Sequence, residues 1–293
     1  MLIRKSWGER IFDTANVTVM VLISFVAMYP LVYVLLASLS DPAAVAAHRG
    51  IMLYPVGFTF EAYENVMKNP NIVRSYVNTL IYVSAGTTIN IFLTALGAYG
   101  LSRRDVMWKN TIMFLIVFTM FFSGGIIPSY ILIDKLGLMN TYFALLLPNA
   151  ISAFNLIVMR TAFQGIPYSL DESARIDGAG DWTILFRIVM PLSLPVLAVM
   201  ILFYGVSHWN SWFGAMIYLQ DRSLFPMQLI LREILISNDT TSMTIDASAA
   251  DVARIGQTIK YATIIIATVP VLMLYPFLQK YFVKGVMIGA IKE

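Results

Sequence analysis

The sequence contains no cysteine and only two histidines among its 293 residues. The lack of cysteine excludes disulfides, thiolate metal sites and cysteine nucleophiles. His48 and His208 lie far apart along the chain, so we expect each to be a lone polar side chain rather than a metal ligand. We therefore predict neither metal binding nor metal catalysis in this chain.

Charged residues are also scarce, at 13% of the chain, whereas 58% of the residues are hydrophobic and the mean hydropathy is +0.74. This balance lies far outside that of a soluble globular domain and predicts a membrane protein. The 20 Lys and Arg residues are spread along the chain and the net charge is only +3. We expect no nucleic-acid partner, because no basic stripe is formed.

The sequence has no phosphate-binding loop of the pattern G-x-x-x-x-G-K-[ST]. Ser123-Gly124-Gly125 resembles part of an ATPase signature, but its Phe- and Ile-rich surroundings predict a helix break inside the membrane. The apolar stretches also lack the cluster of ionisable residues that a membrane-embedded enzyme would need. We therefore predict no catalytic residues and no ATP site in this chain.

Six apolar stretches are long enough, or nearly so, to cross the hydrocarbon core as helices, which takes roughly 20 residues each. The predicted fold class is all-α, a polytopic membrane protein with six transmembrane helices, over 17–39, 75–98, 111–133, 142–163, 189–212 and 261–281. Glycine and proline interrupt the third, fifth and sixth stretches. These positions predict either ordinary kinks or breaks that bend helices around a translocation path.

The distribution of Lys and Arg predicts the orientation. The side that carries both termini holds more of these residues, so the positive-inside rule places both termini in the cytoplasm. We predict a first part, 1–70, with a cytoplasmic tail, one transmembrane helix and a periplasmic segment. A core with five transmembrane helices follows over 71–282, and a cytoplasmic tail over 283–293.

The longest predicted cytoplasmic segment, 168–191, is too polar to be embedded and predicts two short helices. Ser169 and Glu172 have the spacing of a capping box at the start of the first helix. Gly178 is placed to end that helix, and Asp181 to cap the second. Small side chains in this segment leave room for another protein, although a helical hairpin without any partner fits the residues equally well.

This segment resembles the EAA loop of permeases from bacterial binding-protein-dependent ATP-binding-cassette (ABC) importers. The family pattern is Glu-Ala-Ala, three residues, Gly, nine residues, Ile, any residue and Leu-Pro. The chain has Glu172-Ser173-Ala174, Gly178, Ile188 and Met190-Pro191 at the same spacings. The two departures, Ser173 and Met190, are changes that such a site tolerates in size.

The resemblance implies a type I ABC importer permease with a MetI-like core in the bacterial inner membrane. It implies as partners a second homologous permease subunit, two ABC ATPase subunits that bind ATP and Mg, and a solute-binding protein. In that family the EAA loop is a coupling helix that fits a groove on the ATPase. The resemblance assigns this contact to Glu172, Ser173, Ala174, Asp177, Gly178 and Ala179.

Other segments are similar to the carbohydrate-uptake class of these permeases: 55–67, 78–80, 97–104 and 209–219. Two more, 121–138 and 150–167, resemble the subgroup that imports oligosaccharides and polysaccharide fragments, alginate oligosaccharides among them. The resemblance therefore implies an oligosaccharide substrate. A non-sugar solute, such as a peptide or a metal chelate, is the alternative.

Aromatic, amide and hydroxyl side chains are the groups expected to bind a sugar. The candidates for the substrate path are Asn155, Tyr204, His208, Trp209, Asn210 and Trp212. The tryptophans fit an interfacial aromatic belt equally well, and the two asparagines could bond neighbouring helices instead. The outer loop at about 220–260 is long, and the resemblance implies that it reaches the solute-binding protein.

Overall fold

The computed structural model describes residues 6–236, 256, 258–273 and 276. Every regular element in those residues is helical, and their one strand-like pairing is an isolated antiparallel bridge between Ser40 and Phe58. The predicted all-α fold is confirmed. Residues 237–255 and 257 of the outer loop and the predicted C-terminal tail, 283–293, lie outside the described residues.

The chain forms the following helices: α1 (Trp7–Ser38), α2 (Pro42–Ala47), α3 (Glu61–Lys68), α4 (Pro70–Ser102), α5 (Lys109–Phe121), α6 (Ile126–Lys135), α7 (Phe143–Leu146), α8 (Ala153–Gln164), α9 (Tyr168–Ile176), α10 (Asp181–Ile184), a π-helical turn (Leu185–Val189), α11 (Met190–Leu192), α12 (Leu194–Trp209), α13 (Phe213–Tyr218), a 3-10 turn (Arg222–Leu224), α14 (Met227–Ile236) and α15 (Thr258–Met273). They belong to two compact units. One is Met1–Asn69 with Glu233–Thr268, and the other is Pro70–Arg232 with Val269–Glu293.

The first unit is built on α1, which contains the first predicted span but begins ten residues earlier. Ser6 and Glu9 form a capping box, in which the Ser6 backbone N–H donates to Glu9 at 2.7 Å and the Glu9 N–H donates to Ser6 at 3.3 Å. Two N–H groups at the start of the helix are thereby satisfied. The polar residues before position 17 therefore join the helix.

The second unit is built around α4, which contains the second predicted span. Its 33 residues have no proline after Pro70, and a helix of that length is about 50 Å long. It is apolar enough to cross a membrane, as α1 also is. One face of α4 nevertheless buries polar residues at intervals, namely Asn78, Thr79, Thr87, Asn90 and Thr94.

The third predicted span is a bent pair of helices, as its predicted interruption implies. It consists of α5 and α6, which meet at an angle of 113°. The predicted break at Ser123-Gly124-Gly125 is confirmed, and Gly125 adopts a left-handed φ of +87° at the start of α6. Because α5 has 13 residues, its length of about 20 Å falls short of the hydrocarbon core.

The fourth predicted span is also not continuous. It contains the short helix α7, a non-helical stretch around Pro148 and the 12-residue helix α8. Proline has no N–H to donate and interrupts the helix, and Ser152 starts α8 by accepting the Asn155 N–H at 3.4 Å. The sequence prediction overlooked this combination of a breaker and a cap.

The fifth predicted span begins later and ends earlier than expected. Between Pro191 and Pro195, the α10–α11 segment meets α12 at 86°, so the straight apolar helix starts at Leu194 and ends at Trp209. The described part of the sixth span is α15. By length and composition, two helices of the described chain can cross a membrane alone, and each of the two bent pairs can add one span.

Asn78 ties the N-terminal half of α4 to the segment that follows α13. Its amide donates to the carbonyls of Ser223 at 2.8 Å and Phe225 at 3.1 Å, and its side-chain oxygen accepts from the Tyr142 hydroxyl at 3.0 Å. Carbonyl groups of a short turn that is not continued by a longer helix are stable in an apolar environment only when side chains donate to them.

We expect Asn78→Ala to destabilise the folded chain by about 1–3 kcal/mol, because it leaves two backbone carbonyls unsatisfied. Thermal unfolding of the purified transporter in lipid nanodiscs measures the loss. Ser84→Ala is the matched control, since the Ser84 hydroxyl donates within its own helix to Leu80 at 2.7 Å. Equal stability of the two variants would contradict the structural role of Asn78.

Candidate coupling segment and translocation path

The coupling segment, which we define as Tyr168–Leu192, is a helix, a tight corner and a second helical stretch. α9 ends at Ile176, and Gly178, two residues further on, has a φ of +80°. The Gly178 N–H donates to Arg175 O at 3.0 Å and the Ala179 N–H donates to Ala174 O at 2.9 Å. This pair of bonds is a Schellman motif, in which glycine takes the left-handed position. The predicted end of the first helix is therefore confirmed.

Two predicted caps in this segment are wrong. Pro167 occupies the N-cap position of α9, so Ser169 lies inside the first turn and its side chain caps nothing. Proline supplies an extended backbone just before the helix and takes the position that a capping serine would need. The second helix starts after Gly180. Asp181 is the first residue of that helix, and its side chain makes no capping bond.

The six residues assigned to the coupling contact divide into two groups by exposure. Glu172, Ser173, Asp177 and Gly178 are exposed. Ala174 is buried, and Ala179 packs half-buried against the same core, which also contains Ala98 of α4 and Phe163 of α8. The small residues thus let the coupling segment lie close to its own subunit, and the polar residues face outward.

A buried ion pair connects the coupling segment to α4. Nη1 of Arg103 lies 3.0 Å from Oδ1 of Asp171, and the two side chains are 12% and 6% exposed. The Arg103 guanidinium also lies 4.5 Å from the centre of the Tyr99 ring. Removing one partner of a buried pair leaves an uncompensated charge, at a cost of about 3–5 kcal/mol. This contact therefore fixes α9 on the C-terminal end of α4.

Arg175 extends the same cluster across the glycine corner. It donates to Asp171 at 3.3 Å and to Asp181 at 2.6 Å, so one guanidinium joins the two helices of the coupling segment. The Tyr99 hydroxyl also donates to Asp181, at 3.3 Å. The hydrogen bond to Asp171, assisted by the one to Asp181, raises the pKa of Arg175 above its usual range.

Neither Arg103 nor Asp171 was among the residues predicted to form a site. A usable signal was present, because a carboxylate on the inward side of a short amphipathic helix needs a buried cation as its partner.

Inside the apolar region, a second polar cluster joins α4 to α12. Nε2 of His208 lies 2.6 Å from Oδ1 of Asn90. The Asn90 amide donates to the carbonyls of Asn149 at 2.7 Å and Ala150 at 2.8 Å. These carbonyls belong to the break between α7 and α8, so Asn90 supplies donors that the interrupted helix lacks.

One turn further along α4, Thr94 and Tyr204 form a similar contact. Their hydroxyl oxygens lie 2.7 Å apart, and the Tyr204 oxygen accepts the Ser152 N–H at 3.1 Å. Gly86 lies on the same face of α4, and a Cβ there would be 2.4 Å from Nε2 of His208. The glycine therefore permits the close approach of α4 to α12.

A cleft of about 790 Å³ lies beside these two contacts and includes Asn155, Tyr204 and His208 among its lining residues. Its lining combines amides and hydroxyls with aromatic and aliphatic side chains. The full set is Leu145, Asn149, Ile151, Ser152, Phe154, Asn155, Leu202, Phe203, Tyr204, Val206, Ser207, His208, Ser211 and Val271. None of these described lining residues carries a formal charge when His208 is neutral.

The other three candidates for the substrate path lie elsewhere. Trp209 packs edge-on against Tyr76, with ring centres 5.9 Å apart, and lines a neighbouring apolar cleft. Trp212 lies under the Arg232 guanidinium, which is 4.7 Å from its ring. Asn210 follows the end of α12, where its N–H donates to Val206 O at 3.0 Å. The structure thus brings together three of the six candidates.

The apolar spanning helices, the bent helix pairs and a surface-exposed coupling segment define a helical membrane permease. The chain belongs to the family of binding-protein-dependent transport system inner membrane components, whose pattern it matches over residues 2–288. It is therefore a permease subunit of an inner-membrane transport system.

Relatives in this family cover nearly the whole chain. The polygalacturonan/rhamnogalacturonan transport system permease protein YtcP of Bacillus subtilis is 41% identical over 97% of this chain and 99% of its own length. Protein LplC of Bacillus subtilis is 40% identical over 97% of this chain and 95% of its own length.

A solved structure shows the same fold. It comes from a crystal structure of a bacterial ABC transporter involved in the import of the acidic polysaccharide alginate. Its matching chain is 32% identical, covers 96% of this chain and 99% of its own length, and superposes with a TM-score of 0.88. The predicted resemblance to ABC permeases with a MetI-like core is thus confirmed.

We expect Gly178→Val to reduce transport and transport-stimulated ATP hydrolysis, while membrane insertion persists. A β-branched residue in the left-handed conformation costs at least about 1–2 kcal/mol and opens the corner. Gly180→Ala is the matched control, since Gly180 has an ordinary φ of −79° and open space around its Cβ position. Wild-type transport by Gly178→Val would contradict this role.

We expect Gly86→Ala to displace His208 from Asn90 and to reduce both stability, by about 1–3 kcal/mol, and transport. The added methyl group would overlap the imidazole ring. Gly100→Ala serves as the control, because a Cβ at Gly100 meets nothing within 4 Å. Unfolding temperature and uptake rate are measured for both variants, and an unchanged Gly86→Ala would show that the two helices do not need this close approach.

Proposed function

We propose that this chain is the permease subunit of an ABC importer that takes up oligosaccharides released from acidic polysaccharides. The names of two similar proteins support this substrate class. The 41% identical relative is named for polygalacturonan and rhamnogalacturonan transport, and the 32% identical solved chain comes from an alginate importer. All three named polymers contain uronic acids.

The composition of the cleft supports a carbohydrate ligand. Amide and hydroxyl groups of Asn155, Ser207 and Tyr204 can bond sugar hydroxyls, and the rings of Phe154 and Phe203 can stack on the apolar faces of sugar rings. A volume of about 790 Å³ is in the range of small-molecule sites. The alternative, a peptide or a metal chelate, has no such support among these relatives.

The uncharged lining has a consequence for an acidic substrate. The described residues around the cleft include no lysine or arginine that could pair with a uronate carboxylate. A second homologous permease subunit supplies the cationic groups in this proposal, so the two subunits divide the recognition of the sugar. This chain contacts hydroxyls and ring faces, and its partner contacts carboxylates.

ATP is hydrolysed outside this chain. The sequence lacks a phosphate-binding loop, so two partner ATPase subunits bind ATP and Mg in this proposal. They contact the exposed side of the coupling segment through Glu172, Ser173, Asp177 and Gly178. Both termini then lie in the cytoplasm, and a solute-binding protein delivers the oligosaccharide from the opposite side.

The substrate class is tested with the complete transporter and its cognate binding protein in proteoliposomes. We expect oligogalacturonides or alginate oligosaccharides to drive uptake and to stimulate ATP hydrolysis at least about fivefold more than neutral arabino-oligosaccharides of equal length. Stimulation by the neutral sugars alone would overturn the acidic class. Stimulation by peptides or metal chelates alone would overturn the carbohydrate class.

A further inference from the structure

We propose that α4 transmits movement of the coupling segment to the cleft, and that Asp171 is the positioning residue that joins α9 to α4. This inference rests on the proposed function, because it assumes that an ATPase moves the coupling segment. α4 is attached at two places. At one it is joined to α9 by the Arg103–Asp171 ion pair, and at the other Asn90 and Thr94 contact residues of the cleft.

The first attachment, between Asp171 and Arg103, is buried. Asp171 is 5% exposed although it belongs to a short helix whose neighbouring residues, Leu170 and Glu172, are exposed. Its carboxylate lies against Arg103, which is itself held over the Tyr99 ring. The other cation that contacts Asp171 is Arg175, which belongs to α9 and moves with it. Movement of α9 away from this end of α4 therefore separates Asp171 from Arg103.

The second attachment lies along the same helix. Arg103 immediately follows α4, and Asn90 precedes it by 13 positions, which is about 20 Å along a helix. Asn90 and Thr94 contact His208 and Tyr204, which both line the cleft. A displacement of α4 therefore acts on two cleft residues and, through Asn90, on the backbone at Asn149 and Ala150.

The stretch of α4 between the two attachments is suited to this role. It contains no proline, and its small residues Ala95 and Ala98 are fully packed in the core shared with α8 and the coupling segment. Packed helices shift as units rather than bend at each residue. The competing route is the covalent one, in which α9 moves the cleft only through its chain connections to α8 and α12.

Thiol labelling distinguishes the two routes, because the chain has no cysteine of its own. Ser207→Cys reports on the cleft, which this exposed residue lines, and Ile176→Cys reports on the coupling segment, where the side chain is 86% exposed. Each is placed singly in the complete transporter, with the partner subunits made cysteine-free. The rate of maleimide labelling is measured without nucleotide and after trapping with ATP and vanadate.

We expect trapping to change the labelling rate at both reporters in the wild-type background, by about fivefold or more. In Asp171→Asn the response at Ile176→Cys persists and the response at Ser207→Cys is lost. Arg103→Gln gives the same result, and Arg103→Lys, which keeps the charge, retains the response. The double variant Asp171→Asn/Arg103→Gln is no worse than either single variant, because both act on one contact.

Glu64→Gln is the matched control, since it removes an exposed ion pair, Glu64–Lys68 at 3.7 Å, and should leave both responses intact. Retention of the Ser207→Cys response in Asp171→Asn would overturn the proposal in favour of the covalent route. Because the readout needs nucleotide and not sugar, a wrong substrate assignment would leave this test unaffected.

Discussion

Backbone polar groups within a membrane must find partners inside the protein, because lipid offers none. This constraint explains why an apolar helix such as α4 buries two asparagines. The chain breaks its helices around Pro148 and in the segment before α14, and each break frees carbonyl groups. Asn90 and Asn78 each donate to two of those carbonyls. The irregular backbone that borders the cleft thus depends on the regular helix beside it.

At the C-terminal end of α4 the contacts are ion pairs between side chains. There the partners are charged rather than amide groups, and a cluster of two arginines and two aspartates holds the coupling segment in place. The inner part of the cluster, Asp171 with Arg103, is buried, and the outer part, Arg175 with Asp181, is accessible to water. The first fixes the position of the segment, and the second joins its two helices across Gly178.

Local signals in the sequence predicted much of this molecule. The composition indicated membrane helices, glycine and proline marked the breaks, and Gly178 marked the corner. Interactions between distant residues were not predictable in this way. Nothing near Asp171 in the sequence identifies Arg103, and nothing near His208 identifies Asn90. Two neighbouring residues could each have preceded the first turn of α9, and the N-cap position is occupied by Pro167 and not by Ser169 as predicted.

Three attachments along one helix also limit how the sequence can change in length. Asn78, Asn90 and Arg103 must face three different partners at once, and each residue added between them would turn the rest of the helix by about 100°. A single insertion there would point at least one of these side chains away from its partner. Insertions and deletions among relatives are therefore expected in the connections outside this stretch, and the number of residues within it should stay constant even where their identities drift.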